Sequence, residues 1–194
     1  MNIFYLDHDV IKCAQMHLDK HVVKMIIEYA QLMSTAHRVL DGEEYFDKTA
    51  NGRKTKRWRL NDYREERLMK ASHVNHPSAV WVRQSKQNYV WLMQMWACLL
   101  QEYTYRYGKT HACARLLGVL AEIPHNLQEK PFSEPTPAMP DECKIASDSL
   151  ASYHKYYIER KIHFAKWTKR PVPTWFATAV SNNANIPISQ YTNG

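Results

Sequence analysis

The chain is poor in glycine, with 5 in 194 residues, so it offers few places where the backbone can turn left-handed without strain. No stretch approaches the ~18 apolar residues needed to cross a bilayer. The opening residues MNIFYLDHDV carry neither a basic start nor a hydrophobic run of leader length. No membrane partner is expected, and the chain reads as soluble and cytoplasmic. Cysteine pairing is missing too: Cys13, Cys98, Cys113 and Cys143 are scattered without CxxC spacing, which excludes a disulfide framework and points to reduced thiols. His17 and His21 have the i, i+4 spacing of metal ligands, but Leu18, Asp19 and Lys20 stand between them and no HExxH is present. Neither a metal nor a cofactor is expected. Acid is also scarce, with 19 Asp and Glu against 26 Lys and Arg for a net charge of +7. That balance points to a polyanionic partner. No internal repeat is visible.

What is present begins with Asp9 to Leu40, which contains no Pro or Gly. Placed on a helix, His17, Lys20, His21, Lys24, Glu28, Gln31 and Thr35 fall within a sector of roughly 100°. Most other positions between Met16 and Ala36 are apolar. Such a helix belongs inside a bundle, so its polar line either looks out through a narrow solvent window or floors a cleft. Two His, two Lys and one Glu on one line are suited to proton transfer and nucleophilic attack. The candidate catalytic residues are therefore His17, Asp19, Lys20, His21, Lys24 and Glu28.

The rest of the chain predicts a mainly α, single-domain helical bundle over 1–176, preceded by a short arm at Asn2–Leu6. A basic insertion spans about 41–72, with Arg53, Lys54, Lys56, Arg57, Arg59, Arg64, Arg67 and Lys70 close together. It reads either as a solvated loop or as a phosphate-contacting arm. Pro77 suits a first helical position, and a long helix is expected from there to Tyr107, where Gly108 stops it. A short helix follows over about 112–122. Pro124, Pro131, Pro135, Pro137 and Pro140 then impose an ordered crossover loop. A further helix is expected over about 148–166. It leads into KWTKRPVPTWF, where Lys166, Lys169 and Arg170 alternate with Trp167, Trp175 and Phe176. That composition suits phosphate contact and base stacking, or equally a segment docked by its Trp residues. Residues 177–194 read as a polar, poorly ordered tail. Candidate nucleic-acid contacts are His73, His76, Arg83, Arg106, Lys109, His111, Lys166, Lys169 and Arg170.

The blocks YLDHD, DKHVVKM, NHPSAVWVR, EYTYRYGK, AMPDE and FAKWTKR, spread over residues 3 to 176, resemble those of a group of uncharacterised phage proteins, which would place the chain in host cytoplasm. More distantly, the chain resembles the pyrimidine-dimer DNA glycosylases of the phage endonuclease V type. Asn2-Ile3 matches the arm, Gln15-Met16-His17-Leu18 a QHL-like motif, Arg106-Tyr107-Gly108-Lys109 an RG[FY]-like turn, and Arg170-Pro171-Val172-Pro173-Thr174-Trp175 a terminal run. The resemblance implies an α-amine nucleophile, exposed by loss of the first Met, that attacks sugar C1′ to form a Schiff base. Residue 2 is Asn, whose size disfavours that removal. The position of the family's catalytic Glu is held by Lys24, with Glu28 one turn later on the same line. An amine from Lys20 or Lys24 would then replace the α-amine. Glu28 or Asp19 would stabilise the cationic sugar, and His17 and His21 would handle protons.

The function expected is accordingly enzymatic: glycosylase or lyase-like chemistry on a damaged or modified pyrimidine in duplex DNA. The competing expectations are a non-catalytic nucleic-acid-binding or host-interaction protein, and an enzyme that modifies a base or nucleotide.

Overall fold

A computed structural model describes residues 1–182. It is mainly α, with eight helices and one two-stranded sheet among those residues. The long apolar stretch forms two helices, α1 over Val10–Met16 and α2 over Asp19–Asp41. Asp9 caps α1 by accepting the N–H groups of Ile11 and Lys12. His17 and Leu18 are both extended and separate the two helices.

This break has no Pro or Gly behind it. Tertiary partners take up the carbonyls that α1 leaves open at its end. His17 Nδ1 donates to Cys13 O at 2.8 Å and His17 N to Ala14 O at 3.3 Å. Arg106 Nη2 donates to Gln15 O and Trp167 Nε1 to Met16 O, each at 2.8 Å. Every carbonyl of that last turn is satisfied, so the chain turns here without unpaired groups.

The basic insertion contains an antiparallel hairpin, β1 over Glu43–Lys48 and β2 over Lys54–Arg59, followed by α3 at Arg64–Arg67. Gly52, at φ 75°, supplies the left-handed residue of its turn. The predicted 77–107 helix is divided into α4, Pro77–Val82, and α5, Lys86–Tyr107, with Ser85 capping the second. Gly108 ends α5 at φ 65°. A 3₁₀ turn at Ala112–Leu116 runs into α6, Leu117–Ala121. α7, Ser149–Lys161, continues as a 3₁₀ turn at Ile162–Phe164. The reading of 177–194 as a loose tail is corrected over its first part, because α8 occupies Thr174–Asn182 and buries Phe176 and Val180. The remainder of that stretch lies outside the described residues.

α2 and α5 form the centre, with α1 on α5, α4 on α2, and α8 on α7. The arm is threaded into this core. Ile3, Phe4, Tyr5 and Leu6 are buried, and their backbone is held by Tyr29 of α2, which accepts from Phe4 N, and His154 of α7, which donates to Leu6 O. Each large apolar side chain so buried contributes on the order of 1.5–3 kcal/mol. The Pro-rich crossover is pinned along the α4–α5 junction, where Trp81 Nε1 donates to Ser133 O and Ser85 Oγ to Lys130 O. No helix among the described residues is long and apolar enough to cross a membrane.

Candidate functional site

The polar line of α2 divides into an internal half and an outer half. Internally, His17 is fully buried, with Nδ1 donating to Cys13 O and Nε2 accepting the Tyr29 hydroxyl at 2.9 Å. Burial, with positive Arg106 nearby, pushes its pKa down to about 4. Both ring nitrogens are occupied, so His17 holds structure and presents nothing to a ligand. Asp19 is likewise engaged. It accepts Arg106 Nη1 at 2.8 Å, Thr168 N at 2.9 Å and Thr168 Oγ1 at 2.7 Å.

Arg106 extends this network. Its Nε donates to Glu102 at 2.7 Å, and Glu102 also receives Arg170 through Nε and Nη2 at 3.0 and 2.8 Å. A carboxylate at the α1–α2 junction, one on α5 and two guanidiniums thereby form a buried chain of opposite charges. Two of the expected nucleic-acid contacts, Arg106 and Arg170, are spent inside it. The neighbouring aromatics are docked as well, with Trp167 packed on Phe176 and Trp175 stacked on His154 at 3.9 Å.

The run Arg170–Thr174 lines a cavity of about 310 Å³ against Lys12, Gln15 and Met16. That cavity belongs to α1. It does not join the Lys20–Glu28 run. The other expected contacts are dispersed. Arg83 ends α4 and donates to Ala79 O, Lys109 is exposed beyond α5, and His111 caps the following 3₁₀ turn through Cys113 N. Lys166 stands in solvent, while Lys169 adopts φ 59° and reaches Tyr105 O at 3.0 Å.

The outer half of the line is different. His21 is buried, with Nδ1 at 2.7 Å from the Tyr157 hydroxyl and its ring stacked on Phe4 at 4.1 Å. Its Nε2 has no protein partner among the described residues and is not sealed from solvent. Burial, reinforced by His17, Lys161 and Lys24, drives its pKa down to about 2, so at neutral pH the ring is an uncharged group opening to the surface. Cations and aromatics surround that opening. Lys20 lies 4.6 Å over Phe164, Lys161 lies 4.4 Å over Tyr156, and Phe4 is stacked with both His21 and Tyr156. Phe4, Tyr156, Lys161 and Phe164 are additions that helical periodicity on α2 alone cannot reveal, because they come from the arm and from the end of α7.

One turn further along, Lys24 pairs with Glu28 at 3.1 Å; the lysine side chain is 69% exposed and the glutamate 16%. Lys20 and Lys24 stand in water and not in the desolvated pocket expected of an amine nucleophile. Glu28 has company. The pKa of His76 is lowered by partial burial and by the positive charges of the chain's α-amine and His73, with Glu28 opposing. The α-amine, His73 and Glu28 each act electrostatically on His76. His76 caps α4, its Nδ1 accepting Ser78 N at 3.2 Å, which leaves its proton on Nε2. Asn2 is fixed nearby by the Tyr153 hydroxyl at 3.2 Å.

The outer half of the α2 line thus holds Lys20, His21, Lys24 and Glu28, and Glu28 acts on His76 together with His73 and the α-amine. The structure removes His17, Asp19, Arg106 and Arg170 to an internal junction. No set of three or more His, Cys, Asp or Glu among the described residues is arranged to hold a metal ion. Comparison with protein-family models, curated proteins and solved structures finds no match.

Proposed function

We propose that the chain is a DNA-acting enzyme that engages a damaged or modified pyrimidine nucleotide at the outward face of α2, with glycosylase or lyase-like chemistry through an amine. The observation that carries this reading is the aromatic and cationic surface around His21, continued one turn along α2 by the Lys24–Glu28 pair. Phe164 and Tyr156 offer faces for bases, and Lys20 and Lys161 offer charge for phosphates. An unprotonated amine attacks sugar C1′ as the C1′–N bond to the base breaks. The base departs with the bonding electron pair, accepts a hydrogen bond from His76 Nε2–H and takes its proton from water. The amine then passes a proton to the ring oxygen as the ring opens to the Schiff base. Glu28 faces the positive charge that develops on the sugar. Lys24 is paired with this carboxylate, and the α-amine shares His76 with it as an electrostatic neighbour.

Borohydride trapping on oligonucleotides carrying an abasic site or a damaged pyrimidine tests the reading. A covalent adduct is expected with the native chain. Its loss on blocking the amino end, with Lys24→Ala still active, assigns the arm; the converse assigns Lys24. Glu28→Gln should slow trapping by roughly 10²-fold, as removal of a transition-state charge does. Binding without an adduct on any substrate rejects the chemistry.

A non-catalytic nucleic-acid-binding role is favoured by one observation, the ion pair that already satisfies Lys24 and Glu28. In that case Glu28→Gln leaves affinity for the strand unchanged or improved.

A further inference from the structure

The hairpin holds a cation without a counter-charge. Along β2 the side chains alternate: Lys54 and Lys56 lie over Phe46, at 3.8 and 6.0 Å, and Lys56 also pairs with Glu44 at 2.9 Å. Thr55 and Arg57 take the more enclosed side. Facing them are residues 71–75, and the two walls enclose a cavity of about 450 Å³, within the ~300–1,000 Å³ range of small-molecule sites. No acidic residue lines it.

Arg57 and Arg83 are the two partly enclosed arginines without a carboxylate, and Arg83 donates to Ala79 O. Arg38, Arg64, Arg106 and Arg170 each meet a carboxylate at 2.5 to 2.8 Å. Among the described residues Arg57 has neither an ion pair nor a hydrogen bond, and its Nε is sealed from solvent. An unmet guanidinium N–H withdrawn from water is costly; Nε itself is closed to a ligand, and the two Nη groups, unbonded and not sealed from solvent, are the donors that match the oxygens of a phosphate. His73, on the opposite wall, is held at φ 49° in the left-handed region, a strain that persists where the surroundings enforce it and that clusters at ligand sites. The wall is tied to α2, because Ser72 N donates to Thr35 Oγ1 at 3.2 Å and Thr35 Oγ1 returns to Ser72 O at 3.4 Å. Trp58 and Asn75 complete the lining.

We propose that this cavity seats a phosphate group of a nucleic-acid strand, with Arg57 as its anchor, His73 and Asn75 as further donors and Trp58 as an apolar wall for the adjoining sugar or base. The inference rests on the nucleic-acid reading above and extends it. It makes the hairpin a clamp that holds the strand next to His76 and Glu28.

Anisotropy with short labelled oligodeoxynucleotides, single- and double-stranded, tests the seat on the full chain. Arg57→Gln should weaken binding roughly tenfold and reduce the salt slope by about one. Arg53→Gln, which removes the same charge from the exposed hairpin turn, should stay within about twofold. His73→Gly removes a donor and relieves the backbone, so affinity should fall while the thermal midpoint rises; a folding defect would lower both. Equal losses for Arg57→Gln and Arg53→Gln would reduce the effect to bulk charge and overturn the seat. Strand binding indifferent to Arg57→Gln rejects the cavity and leaves the nucleic-acid reading standing. Thermal stabilisation by inorganic phosphate or a free pyrimidine nucleotide, dependent on Arg57 and with no strand bound, overturns the strand assignment and the DNA reading together. No binding of strand, nucleotide or phosphate rejects both.

Discussion

Three buried histidines make the folded state sensitive to acid. His17 and His37 are pushed by burial to about 4 and His21 to about 2, all below the ordinary value near 6.5. Above pH 7 each is neutral in both states and contributes no pH dependence. As the pH falls through 6.5, the unfolded chain takes up protons that the folded chain refuses, and stability drops by about 1.4 kcal/mol per pH unit for each such histidine. For His17 and His37 this continues to about pH 4, and for His21 lower still. Urea unfolding between pH 7.5 and 5 should show the decline, and a flat profile would mean these rings charge without unfolding. Burial is the main cause of these shifts, and the partners hold the rings in place: His37 lies between Arg64 Nη1 at 3.0 Å, whose charge lowers its pKa further, and the Tyr89 hydroxyl at 2.8 Å, just as His17 lies between Cys13 O and Tyr29. His17 illustrates the limit of sequence. Its place on a polar line was legible, but its two partners, one of them twelve residues away, were not.

At the scale of elements, the buried charge chain is the junction most exposed to mutation. Glu102→Gln leaves Arg106 and Arg170 short of their shared carboxylate, and removing one member of a buried pair costs about 3–5 kcal/mol. Urea unfolding of that variant should register the loss; a change below about 1 kcal/mol would mean that water replaces the carboxylate. The hairpin behaves in the opposite way. Its strands are largely exposed, and trypsin should first cut at Arg53 and Lys54 beside the turn while the helical core stays intact, as the fragment masses would report. Cleavage first within α2 or α5 would contradict this. Helices were readable because their apolar periods are long. The breaks at His17–Leu18 and at 83–85 were not, since contacts to Trp167 and Arg106, and to the crossover loop, impose them in place of Pro or Gly. The hairpin left a readable trace in Asn51-Gly52 between two alternating segments, but the density of charge in 41–72 obscured it. The outer half of the α2 line was visible as a pattern, whereas its aromatic lining comes from other segments, Phe4 from the arm and Tyr156 and Phe164 from more than a hundred residues away.

Over the whole molecule, the net charge of +7 is divided unequally between buried pairs and open surface. Arg38, Arg64, Arg106 and Arg170 are neutralised by carboxylates, so the cations left to meet a polyanion are mainly surface lysines such as Lys20, Lys109, Lys161 and Lys166, and the hairpin. The closed end of α1 has a temporal consequence as well. Its last carbonyls are met by His17, Arg106 and Trp167, so α1 is finished only after chain ends about 150 residues apart, in the separation of Met16 and Trp167, have met. Contacts of such sequence separation form late, because loop closure precedes their reward. Trp167→Phe, which removes the indole N–H and shrinks a buried ring, should leave the refolding arm of a chevron nearly unchanged and shorten the unfolding lifetime by at least roughly five- to tenfold, the share of a bond of about 1 kcal/mol, with the cavity adding to it. A slower refolding limb would place this closure in the nucleus instead. The last turn of a seven-residue helix therefore acts as the latch of the folded state: it sets how long the molecule stays closed and has little say in how quickly it gets there.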